Sequence, residues 1–237
     1  MKNILLTIAW LFVFALANAQ NESNPAGQYT YKNPDRDGTG KVYMGREISK
    51  VMNFMGMSWL ERSTRPQEEN TELAIENLPI TSKSVVADIG AGSGYYTFRI
   101  AKKVPEGKVY AVEIQEPALK FLEERSKELA FDNVVAVKGS EKSPMLPDNA
   151  IDLAIMVDVY HELLYPHEVL QSIKKSLKPN GKLLLIEYRG EDPKVAIKPL
   201  HKMTVEQVKK ELTSNGFKLV QNGQFMNIQH FLVFEKL

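Results

Sequence analysis

The chain has 237 residues, a net charge of +1 and no cysteine. That length holds one sizeable domain plus an extension. The balanced charge gives no basic field to hold DNA or RNA, and the missing thiols exclude thiolate catalysis, zinc–cysteine sites and disulfides.

Residues 1–19 read as a secretory signal peptide. A basic Met1-Lys2 start precedes an apolar run from Ile4 to Ala17 broken only by Thr7, and Ala17-Asn18-Ala19 supplies a small-x-small cleavage site before Gln20. The run is short for a bilayer, which takes about 20 apolar residues. The expectation is an exported protein, periplasmic or secreted, with no stable membrane span after cleavage. Residues 20–41 are polar and rich in Asn, Gly and Pro, and read as a flexible linker. Asn33, Asp35, Asp37 and Gly38 match the opening of a calcium loop, but Met44 stands where the closing Glu is needed, so they read as a turn.

Residues 42–71 read as a helical extension or lid. Ile48, Val51, Met52 and Met55 recur at helical spacing, and Trp59 with the methionines suits a cover over a ligand mouth. Core packing is the plainer account of that stripe. Pro66 to Asn77 predicts a helix leading into the first strand of the main domain, 72–237. Strands are then expected near 84–89, 108–113, 133–138, 151–157 and 181–188, and helices near 94–104, 116–129, 166–177 and 204–215. Such alternation gives a parallel sheet with helices on both faces.

The most informative stretch is Val85 to Thr97. A strand ends at Asp88, a Gly90-x-Gly92-x-Gly94 loop follows, and an amphipathic segment begins at Tyr95. Glycines let a ligand approach the backbone, and the next helix presents free N–H groups. A dinucleotide fingerprint would need glycine at Tyr95, and no Gly-Lys-Ser/Thr phosphate loop is present. An acid at Asp88 suits a ligand with a cationic end. About twenty residues further on, the strand Lys108 to Glu113 ends in an acid that can accept from both ribose hydroxyls.

Asp88 with its glycine loop, Glu113, the stretch AIDLAIMVDVYHELLYP and the hairpin LKPNGKLLLIEYR together resemble class I S-adenosylmethionine-dependent methyltransferases, over roughly residues 72–237 and in that family's order. The resemblance implies an α/β, Rossmann-like fold: a mostly parallel seven-stranded sheet closed by an antiparallel hairpin near 217–223 and 229–235. It implies S-adenosylmethionine as methyl donor, held by Asp88, Gly90, Gly92, Gly94, Glu113 with Ile114, Ser140 or Glu141 near the adenine, and Asp158.

Tyr160 and His161 follow the fourth strand and are the candidate catalytic residues. His161 reads as a general base for an acceptor hydroxyl, or as a helix-start residue that only packs. His161-Glu162-x-x-Tyr165 is a near miss of His-Glu-x-x-His, so a zinc-protease site fails and no metal is expected. Lys198 and His201 form a basic pair that could meet an acidic acceptor. The acceptor is expected to be a small molecule. Two rivals are a non-catalytic envelope protein that binds S-adenosyl compounds, and an NAD-dependent oxidoreductase, which Tyr95 and Asp88 oppose.

Overall fold

The computed structural model describes residues 28–237. The expected signal peptide and the start of the expected linker lie outside them. Among the described residues, ten strands and seven α-helices follow one another along the chain.

The main sheet has seven strands in the order β6-β5-β4-β7-β8-β10-β9. They are β4 (Val85–Ile89), β5 (Lys108–Glu113), β6 (Val134–Lys138), β7 (Ile151–Val157), β8 (Leu177–Tyr188), β9 (Phe217–Gly223) and β10 (Gln229–Lys236). Only β10 runs against its neighbours, pairing antiparallel with both β8 and β9. The connecting helices are α4 (Tyr95–Lys103), α5 (Glu116–Glu128), α6 (Pro166–Ser176) and α7 (Val205–Ser214). The expected alternation is therefore present, each boundary within two residues except the start of β8, which begins at Leu177.

The two faces of the sheet are visible in the sequence period. On β4, β7 and β8, Val86, Leu153, Ile155, Leu184 and Ile186 join one apolar cluster with α4. Their alternates Ala87, Ala154, Met156, Leu183 and Leu185 join the other, under α6 and α7. Side chains that alternate across a strand must do this when helices cover both faces. Each fully buried Leu or Ile contributes roughly 1.5–3 kcal/mol. The strand order reverses between β4 and β7, which opens a crevice beyond their carboxyl ends.

Residues 42–60 differ from the sequence expectation. They do not form one helix. A separate antiparallel sheet contains β1 (Tyr29–Tyr31), β2 (Gly38–Tyr43) and β3 (Arg46–Ser49), so ordered strands also occupy part of the expected linker. Met44 (φ 51°) and Gly45 (φ 96°) turn the chain between β2 and β3. Two left-handed residues in succession match the twist of a tight hairpin. The strands are short and polar, so their alternation was masked by the apolar spacing that continues into Met52 and Met55. Glu47 organises the preceding loop: it accepts from the backbone N–H of Asp35 and Gly40 and pairs with Lys32 at 2.6 Å. The Asp35–Gly38 segment is indeed a turn, with Gly38 N–H donating to the Asp35 carbonyl at 3.0 Å.

Helical structure in the extension is confined to a 3-10 turn at Phe54–Gly56, to α1 (Met57–Leu60), and to α2 (Arg65–Glu69) and α3 (Thr71–Glu76). Asn70, at φ 49°, breaks α2 from α3 where one helix was expected. No helix among the described residues is long and apolar enough to cross a membrane.

Candidate active site

The crevice has two sides. On the first, Gly90, Gly92 and Gly94 all lie at positive φ, and the N–H groups of Gly90 and Ala91 donate to the Val112 carbonyl, tying the loop to β5. A Cβ on Gly92 would sit 2.8 Å from the Leu60 side chain. The positive φ favours glycine at this position, and any side chain there would also have to displace the end of Leu60. Glu113 accepts from the N–H groups of Gly92 (3.1 Å), Ile114 (2.7 Å) and Gln115 (3.0 Å), so its carboxylate is fixed at the tip of β5. Asp88 is buried and accepts from the Thr97 hydroxyl at 2.6 Å. Burial pushes its pKa up to about 6, against the pull of that hydroxyl. Ser140 and Glu141 occupy an exposed turn after β6, where the Ser140 hydroxyl is engaged with Ser143.

On the second side, the 3-10 turn Tyr160–Glu162 follows β7. His161 Nδ1 donates to Glu187 Oε2 at 2.6 Å, because a carboxylate can only accept, and its Nε2 lies 3.2 Å from Nδ1 of His201. Burial opposes charging of the His161 ring, but the Glu187 carboxylate outweighs it and raises the pKa. Glu187 also accepts from the Tyr160 N–H. The Glu162 carboxylate accepts from the Met52 N–H, and burial pushes its pKa up to about 7. Burial, with the neighbouring His161 and Lys198, lowers His201 to about 4. Asp158, at φ 55°, accepts from the Gln229 amide through both oxygens. Burial and the nearby Glu69 and Glu187 raise its pKa well above the usual range.

Tyr160, expected beside the acceptor, points its side chain into the core. Its ring lies in the core under α7, fully buried, and its hydroxyl donates to Glu211 at 2.7 Å. Its place in the turn suggested exposure; the packing of α7 decided otherwise. Lys198, beside His201, is paired with Asp37 at 2.6 Å.

The extension crosses over the crevice and touches both sides. Phe54 N–H donates to the Gln115 side chain, whose amide donates back to the Met52 carbonyl. Ser93 of the glycine loop donates to Glu61. Behind this cover, Arg62 and Arg65 both pair with Glu69, which also accepts from the Tyr188 hydroxyl. The hairpin is anchored separately: Arg46 pairs with Glu211 at 2.9 Å and donates to the His161 carbonyl. None of these long-range pairs is visible as a motif. Two buried polar atoms in the described residues lack partners near this network, the Tyr96 hydroxyl and Gln229 Oε1. A surface hollow of about 300 Å³ beside Tyr43 and Ser214 lies away from the strand ends and joins none of these groups.

Glycine turn, ribose-type acid and sheet order together define a class I S-adenosylmethionine-dependent methyltransferase architecture. Residues 80–231 match the methyltransferase-domain family profile, and the chain belongs to that family. It is 30% identical over 116 residues to an uncharacterized methyltransferase-like protein of Schizosaccharomyces pombe, covering 49% of this chain and 43% of the relative. It is 31% identical over 101 residues to a demethylmenaquinone methyltransferase of Anoxybacillus flavithermus, covering 42% and 43%. The chain thus spans less than half the length of these curated relatives. Among solved structures, a SAM-dependent methyltransferase of Aquifex aeolicus superposes with a TM-score of 0.73 over 78% of this chain and 98% of the other, at 24% identity. The fold is shared with it.

Proposed function

We propose that the chain transfers the methyl group of S-adenosylmethionine to a small-molecule acceptor. The observation that carries this reading is the convergence of two unlike sets of groups on one crevice: the glycine cradle with Glu113, and the His161–Glu187 pair. The family implies the donor. The donor set suits it. Glu113, already fixed by three N–H groups, is placed to accept from ribose hydroxyls, and the bare loop at Gly92 admits a close ligand. Burial raises the pKa of Asp88, Asp158 and Glu162, and a ligand with a cationic centre would stabilise their ionised forms. When bound, S-adenosylmethionine supplies an electrophilic methyl carbon. The protein's own residues then align the acceptor and exclude water.

His161 marks where the acceptor is activated. Its ring is oriented by Glu187, and Tyr160 acts on it only as a positioning residue through the shared turn. Residues 52–60, with Trp59 and Met55, cover the mouth. Two relatives named for demethylmenaquinone and for ubiquinone/menaquinone biosynthesis motivate including quinols among trial acceptors. The test is calorimetry with S-adenosylhomocysteine, followed by labelled methyl transfer to phenols, quinols, amines and small acids. Absence of S-adenosylhomocysteine binding overturns the reading, and a nicotinamide fluorescence titration checks the oxidoreductase rival. The basic start, apolar run and Ala-x-Ala site of residues 1–19 support export of the protein, with Gln20 as its first residue after cleavage. Intact mass of the native protein checks that start.

A further inference from the structure

The near miss His161-Glu162-x-x-Tyr165 lacks its second histidine in sequence, yet the fold supplies one. His201 comes from the 3-10 turn Pro199–His201, 40 residues along the chain from His161. One ligating atom each from His161, Glu162 and His201 lies within 4.8 Å of the others. We propose that these three residues bind a single zinc ion at the acceptor side of the crevice, leaving a fourth position for an oxygen or sulfur of the acceptor.

Three features of the geometry favour an ion. The two ring nitrogens are 3.2 Å apart with their rings inclined at 68°. Two nitrogens on a tetrahedral zinc, each at about 2.0–2.1 Å, stand about 3.4 Å apart. A hydrogen bond between the rings would explain that distance alone, but not the converging carboxylate. The second feature is the partner behind His161. Glu187 accepts the Nδ1–H hydrogen bond and so aims the Nε2 lone pair at the cluster, the arrangement in which a carboxylate orients a metal-bound histidine. The third is charge. The Glu162 and Glu187 carboxylates flank His161, while the nearby cations are committed elsewhere, Arg46 to Glu211, Arg65 to Glu69 and Lys198 to Asp37. Two imidazoles and one carboxylate with an open position form a zinc set used in catalysis.

The consequence for chemistry rests on the methyltransferase reading. A zinc-held acceptor hydroxyl or thiol loses its proton to solvent and attacks the methyl carbon. The carbon–sulfur bond breaks with its electron pair going to sulfur, so the sulfonium becomes a neutral thioether. The ion acts as a Lewis acid throughout, with no oxidant or reductant needed.

The test is made on chelator-stripped full chain. Zn(II) chloride is titrated by calorimetry, and Co(II) is followed by its visible absorption, which is intense for a tetrahedral site. Wild type is expected to take up one Zn(II) per chain. His201→Asn and Glu162→Gln should each weaken it by at least about 100-fold, more than the 10–100-fold that an orienting partner costs; Glu187→Gln should fall within that smaller range. Circular dichroism and thermal melting confirm that each variant is folded, and S-adenosylhomocysteine affinity should be unchanged in His201→Asn. No stoichiometric uptake by wild type, or equal uptake by folded His201→Asn and Glu162→Gln, overturns the zinc site. S-adenosylhomocysteine binding without zinc uptake defeats this inference alone. Zinc uptake without S-adenosylhomocysteine binding defeats the methyltransferase reading alone.

Discussion

Where the crevice is bounded by β4 and β5, its surface is mostly backbone: a glycine loop at positive φ, and an acid gripped by three N–H groups, one from that loop and two from the residues that follow the acid. Where it is bounded by β7 and β8, the surface is side chains that meet from distant parts of the chain, with His161, Glu187 and His201 in a row. The first arrangement suits a ligand whose shape never changes. The second can be retuned for a new acceptor by a few substitutions while the fold and donor site stand. Four substitutions would break or sharpen this contrast.

The largest effect is expected at His161. His161→Ala should lower turnover by about 10²–10⁴-fold while cofactor affinity stays near normal. Labelled methyl transfer and calorimetry on the same preparation measure both. A matching loss of cofactor affinity would erase the division between the two sides.

Next is Asp88. Its pKa is about 6 in the folded protein against 3.8 ordinarily, so the folded state holds a proton that the unfolded chain releases. That contribution is full below about pH 4 and is lost as pH rises to about 6. The conversion of roughly two pKa units gives about 3 kcal/mol. Ligand-free Asp88→Asn should flatten this slope, as urea melts between pH 4 and 7 would show. An unchanged slope would mean that Asp88 is not the group responsible.

Glu113→Ala should weaken S-adenosylhomocysteine binding by about 1–3 kcal/mol through lost charge-assisted hydrogen bonds. Calorimetry with the folded variant decides it, and unchanged affinity would remove Glu113 from the donor site. The smallest change is expected in the cover. Arg62 lies 3.8 Å over the Trp59 ring. Losing such a contact costs about 0.5–1 kcal/mol, so Trp59→Ala should raise the acceptor's apparent KM by about 2–5-fold and leave donor binding alone. A fall in donor affinity instead would place Trp59 on the other side of the crevice.

The contrast also separates what sequence reveals from what it hides. Glycines, a strand-terminal acid and alternating apolar residues are local signals, so the β4–β5 side and the order of the main sheet were legible. Glu187 could be placed at a strand end, but its partner could not be named, since 26 residues separate it from His161. The His-Glu-x-x-His pattern stops at Tyr165, and the histidine that the fold brings beside His161, His201, is 40 residues away in the chain. The hairpin was misread for a related reason. The contacts that anchor it, Arg46 to Glu211 and Tyr43 to Asn215, leave no period in the sequence.

Those hairpin contacts also impose an order in time. Residues 29–49 leave the ribosome early, but their anchors, Glu168, Glu211 and Asn215, are made more than a hundred residues later. Until residue 211 emerges, Arg46 has no counter-charge, and the turn bearing His161 has no backing. The turn bearing His161 therefore gains the support of the hairpin only after residue 215 has been made.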